Sequence, residues 1–200
     1  REALQRVLIA ECDWLVDRYL LVAHPSDRSK NHPESNLWIG CLLHRTALLY
    51  PAAPRAAEYR ERGSAFLLNS ISIPSDARSE AMVEGRPVSE WHVGANFFES
   101  YSLNHHGYLN VGYMVICLSN IALLHLWCRA RGLPPPSALM HHAEALWRLV
   151  KAFTFPDGRL ARIGGDTRVR YCYCQDYALP AWLWARDHFN DSSTIAFERG

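Results

Sequence analysis

The stretch Trp91–Asn120, WHVGANFFESYSLNHHGYLNVGYMVICLSN, changes character halfway along. Up to Asn110 it is polar, aromatic and punctuated by glycine, which suits a loop. From Val111 onward apolar residues recur at helical spacing. The helix predicted over 111–131 is apolar nearly all round and therefore belongs in the interior. It ends in Arg129, Arg131 and Gly132, a basic last turn followed by a glycine cap. Groups able to move protons thus sit on the rim of a buried element. Asn104, His105, His106, Tyr108 and Tyr113 combine amide, imidazole and phenol beside Gly107 and Gly112, where the backbone can bend or a ligand can come close.

Working outward, Leu4, Val7, Leu8, Cys12, Leu15 and Tyr19 predict an amphipathic helix from about residue 2 to 22, stopped by the His24-Pro25 pair. A second helix is expected from Pro33 or Glu34 to Tyr50, with proline and an acid in its first turn. Pro51-Ala-Ala-Pro54 leads into a third, about 54–70, and so short a link makes the two antiparallel. Glu84-Gly85-Arg86-Pro87 suits the tip of a small hairpin. After Pro134-Pro135-Pro136 a further helix is expected over 137–153 with Ser137 as its N-cap. Arg159 to Tyr173 reads as a two-stranded excursion around Gly164-Gly165-Asp166, and a last helix covers 177–189. The sum is an all-α domain: antiparallel helix pairs forming part of an (α/α)n toroid, with long loops and small β-hairpins on one face. Loops of that length in a compact domain point to a binding surface over 72–110 and 155–176.

Composition narrows the function. The 200 residues carry 49% hydrophobic content, enough for a sizeable core. Basic and acidic residues number 21 and 20 with no basic run, which excludes a nucleic-acid footprint. Asn120 and His125 interrupt the longest apolar run, 111–127, so no membrane span is expected. Cys12, Cys41, Cys117 and Cys128 fall in apolar helical segments, as buried cysteines do. Cys172 and Cys174 are too closely spaced for the usual zinc pairs. A start at Arg1 without methionine fits a fragment or a processed product, the remainder of a larger polypeptide lying outside it.

Three motifs carry a family resemblance. Lys30-Asn-His-Pro-Glu-Ser-Asn-Leu-Trp38 with Leu-Leu-Tyr-Pro51 behind it, Asn104-His105-His106-Gly107-Tyr108 leading to Tyr113, and Gly158-Arg-Leu-Ala-Arg-Ile-Gly-Gly-Asp166 resemble the helical-toroid proteins related to heparinase II/III and other polysaccharide lyases. The resemblance implies the C-terminal half of a larger α/α toroid and a uronic-acid-containing polysaccharide or oligosaccharide as substrate, cleaved by β-elimination. It also implies a periplasmic or secreted setting and no cofactor. In those lyases an amide or acid that neutralises the substrate carboxylate works with a histidine and a tyrosine; Asn104, His105, and Tyr108 or Tyr113 match those roles. A second characteristic tyrosine finds no counterpart, and the β-sandwich that usually follows the toroid is absent from these residues.

Each residue also has a plainer reading. Asn104, His105 and His106 suit a loop that caps a buried helix, and Glu34 and Asn36 suit a helix start. If they face the cleft, Glu34 is an acid and Asn36 a hydrogen-bonding group for substrate. His106, Arg168 and Arg170 would meet an anionic sugar, and Trp38 and Trp91, with Phe97, Phe98 and Tyr101, would stack on sugar rings or simply pack in the core. Three rivals stay open. A glycoside hydrolase would draw two carboxylates from Glu34, Glu99, Asp166 and Asp176. A metal site would draw on His32, His92, His105 and His106, although adjacent histidines point apart. A non-catalytic carbohydrate- or protein-binding surface is the third.

Overall fold

The computed structural model describes residues 1–19, 31–161 and 175–199. In chain order the elements are α1 (Glu2–Arg18), α2 (Pro33–Leu49), α3 (Ala56–Leu68), a 3-10 turn (Pro74–Arg78), a hairpin of β1 (Met82–Val83) and β2 (Arg86–Pro87), and α4 (Val88–Trp91). A second hairpin, β3 (Asn104–His105) with β4 (Tyr108–Leu109), precedes α5 (Val111–Arg129). A 3-10 turn (Ser137–Met140), α6 (Ala143–Ala152), α7 (Ala178–Phe189) and α8 (Thr194–Phe197) complete the chain. Among the described residues the architecture is helical, with two short antiparallel strand pairs.

The core forms around α5. Met114, Cys117, Leu118, Ile121, Ala122, Leu124 and Cys128 are fully buried; α2, α6 and α7 pack directly against α5, and α3 joins the same core through α2, with Leu37, Leu67, Leu146 and Trp184 among its members. Two intruders are absorbed. The Asn120 amide donates to the Ile116 carbonyl one turn back, 2.9 Å away, and His125 sits against α7 with Asp187 3.7 Å from its Nε2. Neither interrupts the helix, so α5 is 19 residues long with mean hydropathy 1.7 over its most apolar window. By length and composition it is able to cross a membrane, against the expectation from sequence, yet two thirds of that window is buried inside the protein.

Helices α2 and α3 are antiparallel, as the short connector requires: Gly40 meets Leu67, His44 bonds Ser64, and Arg60 donates to the Ala47 carbonyl. The backbones come close at two glycines. A Cβ on Gly40 would lie 2.8 Å from Leu67 Cγ and 3.0 Å from the Gly63 carbonyl oxygen, and one on Gly63 would lie 2.8 Å from the His44 ring. Helix α1 closes a second small core of Cys12, Leu15, Leu43, Tyr59 and Phe66. It is fastened by Tyr59 Oη donating to Asp13 at 2.5 Å and by a two-pronged Arg55–Asp17 pair at 2.6 Å.

Four expectations are amended. Helix α1 ends at Arg18, and residues 20–30, which hold the expected end at His24-Pro25, lie outside the described residues. The single helix over 137–153 is instead a 3-10 turn and a helix parted at His141 and His142; Ser137 makes no capping bond, and the left-handed His142 (φ 55°) occupies the N-cap. The excursion over 159–173 shows one antiparallel bridge, Thr154 with Leu160, while 162–174, including Gly164–Asp166, Cys172 and Cys174, lie outside the described residues. The second hairpin was missed, although His106 (φ 61°) and Gly107 (φ 85°) take the paired left-handed turn that two-residue hairpins favour. Gly40→Ala is expected to destabilise the fold by about 1–3 kcal/mol through overpacking, offset in part by about 1 kcal/mol of helix propensity. Urea denaturation checks this, and a raised midpoint contradicts the close α2–α3 contact.

Candidate functional site

Asn110 joins the buried helix to its rim. Its Oδ1 caps α5 by accepting from the Tyr113 backbone N–H at 3.0 Å, while its Nδ2 donates to the Tyr108 hydroxyl at 3.0 Å and the His105 carbonyl at 3.3 Å. One amide therefore fixes the start of α5 against both strands of the β3–β4 hairpin. The hairpin turn then brings His106 back over α5. His105 and Tyr113 rings lie 4.2 Å apart, His105 and His106 rings 4.2 Å apart, and His106 Nε2 is 3.4 Å from the Tyr113 hydroxyl.

The segment before α2 closes on this group. Asn31, 1% exposed, donates from Nδ2 to the carbonyls of Asn96 (2.8 Å) and Asn104 (3.0 Å), which leaves its Oδ1 facing His105 Nδ1 at 2.7 Å. An amide oxygen only accepts, so His105 carries its proton on Nδ1 and keeps a lone pair on Nε2. Burial first, then the neighbouring His106 and His32, depress the His105 pKa to about 4, so the ring is neutral near pH 7. Asn96 extends the amide network: its Oδ1 accepts from the His32 backbone N–H, and its Nδ2 donates to the Asn69 carbonyl at 2.7 Å, which also accepts from Asn36. Asn69 in turn donates to the Trp91 carbonyl and accepts from the Val93 N–H.

The sequence-derived candidates fall into three groups. His105, His106, Tyr108 and Tyr113 come together as described. Asn104 is beside them on β3; among the described residues its Oδ1 is buried with no hydrogen-bond partner. Glu34, in the first turn of α2, is buried, its Oε2 has no partner among the described residues, and burial raises its pKa. A second group is occupied elsewhere. Asn36 is 2% exposed and serves the amide network; Trp91 is in the core, its indole N–H donating to the Val83 carbonyl and Arg86 lying 4.2 Å over its ring. The rim of Trp91 that remains lines a groove of mixed charge, with Glu58, Glu61 and Glu90 set beside Arg62 and Arg86. Trp38 stands exposed on α2. The third group, Arg168 and Arg170, lies outside the described residues.

Sequence reading missed Asn31, Asn69, Asn96 and Asn110 as a network, because a lone asparagine in a loop carries no spacing signal. It also missed a second cluster. Asp76 in the Pro74–Arg78 turn meets both His141 and His142, with Nε2–oxygen distances of 3.1 and 2.8 Å. Burial alone would raise the Asp76 pKa, but the bonds from the two imidazoles and from the Ile73 N–H hold it well below the usual carboxylate range. Its carboxylate and the two imidazoles form a donor set suited to a metal ion.

No family model, characterised protein or solved structure matches the chain. The site is therefore read from its own geometry.

A pH dependence follows from two buried imidazoles. His44, paired with Ser64, is depressed to about 4 by burial, as His105 is. The unfolded chain, with histidines near 6.5, takes up protons first as pH falls, so stability is full above about 6.5 and declines toward 4. The loss is on the order of 2 kcal/mol per histidine by pH 5. Urea denaturation at pH 7 and pH 5 is expected to show this loss, and His44→Gln or His105→Gln to reduce it. An equal loss in wild type and both variants contradicts the neutral buried rings.

Proposed function

We propose that the chain is part of an (α/α)n toroid and acts as a polysaccharide lyase, cleaving a uronic-acid-containing glycan by β-elimination at the rim of α5. The observation that carries this reading is the contact of His106 Nε2 with the Tyr113 hydroxyl at 3.4 Å, over a neutral His105 ring locked in place by Asn31. Elimination needs a base for the proton next to the carboxylate and an acid for the departing glycosidic oxygen. It also needs help for the charge that grows on the carboxylate.

His106 is exposed and takes the proton from the sugar carbon beside the carboxylate. The electrons of that C–H bond form the new double bond, the neighbouring carbon–oxygen bond breaks, and Tyr113 delivers a proton to the oxygen that leaves. The Asn104 amide bonds the carboxylate as charge builds. His105 does not exchange protons in this scheme: Asn31 fixes its tautomer, and its face sets the angle of the Tyr113 ring. The left-handed backbone of His106 supports such a role, since a non-glycine residue there costs on the order of 1 kcal/mol and tends to persist where function demands the resulting side-chain direction.

Incubation with a panel of uronate polysaccharides, followed through the ultraviolet absorbance of the unsaturated product, tests the reading. Wild type is expected to generate absorbance with at least one of them. His106→Ala and Tyr113→Phe, folded by circular dichroism, should each lower kcat/KM by about 10²–10⁴-fold. New reducing ends without absorbance, no turnover of any uronate glycan, or unaltered variants would overturn it.

A further inference from the structure

The two 3-10 turns, Pro74–Arg78 and Ser137–Met140, converge at a place the elimination scheme does not use. Asp76 is 2% exposed. Its Oδ1 faces His142 Nε2 at 2.8 Å, and its Oδ2 faces His141 Nε2 at 3.1 Å and accepts from the Ile73 N–H at 3.0 Å. One donor atom from each of the three side chains lies within 4.8 Å of the other two. Ligands about 2.0–2.1 Å from a tetrahedral ion stand roughly 3.4 Å apart. An ion therefore needs the cage to open by only a few tenths of an ångström on the Asp76 side and to tighten between the histidines.

Consecutive side chains ordinarily point apart on a helix or a strand. His141 and His142 converge on one carboxylate because His142 adopts the left-handed conformation, φ 55°, ahead of α6. Tyr101, also left-handed at φ 60°, packs its ring 5.1 Å from that of His142. Two non-glycine residues held in this region at one spot each cost on the order of 1–3 kcal/mol, and such positions concentrate where a ligand is clamped.

We propose that Asp76, His141 and His142 bind a divalent transition-metal ion of the zinc type as a three-residue donor set, with the remaining coordination positions left to solvent. Two imidazoles and a carboxylate match the donor set of zinc and its neighbours rather than that of calcium or magnesium. To coordinate through Nε2, each imidazole moves the hydrogen now directed at Asp76 from Nε2 to Nδ1, and a ring protonated on both nitrogens must release one proton, so affinity falls in acid. The ion ties the Pro74–Arg78 turn to the residues that open α6, 65 and 66 positions along the chain. Binding is independent of the lyase reading, because it is measured without any sugar.

The test takes chelator-treated wild type through calorimetric titration with Zn²⁺ and, separately, visible spectroscopy with Co²⁺. One equivalent of Zn²⁺ is expected, together with the absorption bands of four- or five-coordinate Co²⁺ and no thiolate charge-transfer band. His142→Ala and Asp76→Asn should weaken binding at least about tenfold, whereas His106→Ala should leave it unchanged. His142 is partly exposed, so its variant remains informative if Asp76→Asn fails to fold. Absence of stoichiometric binding to folded wild type, a thiolate band, or full affinity in His142→Ala overturns the proposal.

Discussion

Desolvation of α5 is the constraint on which the structure depends. A 19-residue helix that is apolar on nearly every face must be covered by other helices along most of its length. Helices α2, α6 and α7 do so, leaving a strip of α5 at Leu123 in contact with solvent. Its N-terminus then presents backbone N–H groups with no partner inside the helix, and Asn110 answers one of them while holding both strands of the preceding hairpin. The polar rim is thus a by-product of burying the helix, and its geometry is inherited from the core.

Amides dominate that rim for a physical reason. The segment before α2, the turn after α3 and the loop after α4 all bring backbone carbonyls and N–H groups out of solvent without regular secondary structure to pair them. An asparagine side chain both donates and accepts, and Asn31, Asn69 and Asn96 each do so at distances of 2.7 to 3.1 Å. A histidine set in such a lattice gains a fixed tautomer, as His105 does. The same lattice backs the β3–β4 hairpin as a rigid wall, and His106 stands exposed on it.

Much of the fold was legible because it rests on periodicity. The stretch from Val111 announced a buried helix, Pro33 with Glu34 marked a helix start, the connector 51–54 dictated an antiparallel pair, and Glu84-Gly85 marked a hairpin turn, all of which the structure contains. The failures share a cause. The break at His141 and His142 arises from side chains reaching Asp76, more than sixty residues away, and no local pattern encodes it. In the site, the grouping of His105, His106 and Tyr113 was visible as closeness in sequence, whereas the Asn31 partner of His105 comes from 74 positions upstream. Trp91 and Asn36 looked available because composition does not separate an aromatic or amide that lines a cleft from one that fills the core.

The proposed elimination requires an acidic sugar to sit against His106 and Tyr113 at the start of α5. A crystal structure of Tyr113→Phe soaked with a uronate oligosaccharide measures this directly. A sugar carboxylate is expected about 2.7–3.2 Å from the Asn104 amide, with the neighbouring carbon facing His106. An oligosaccharide seated on another face, or a rim closed over so that no sugar reaches His106, would contradict it.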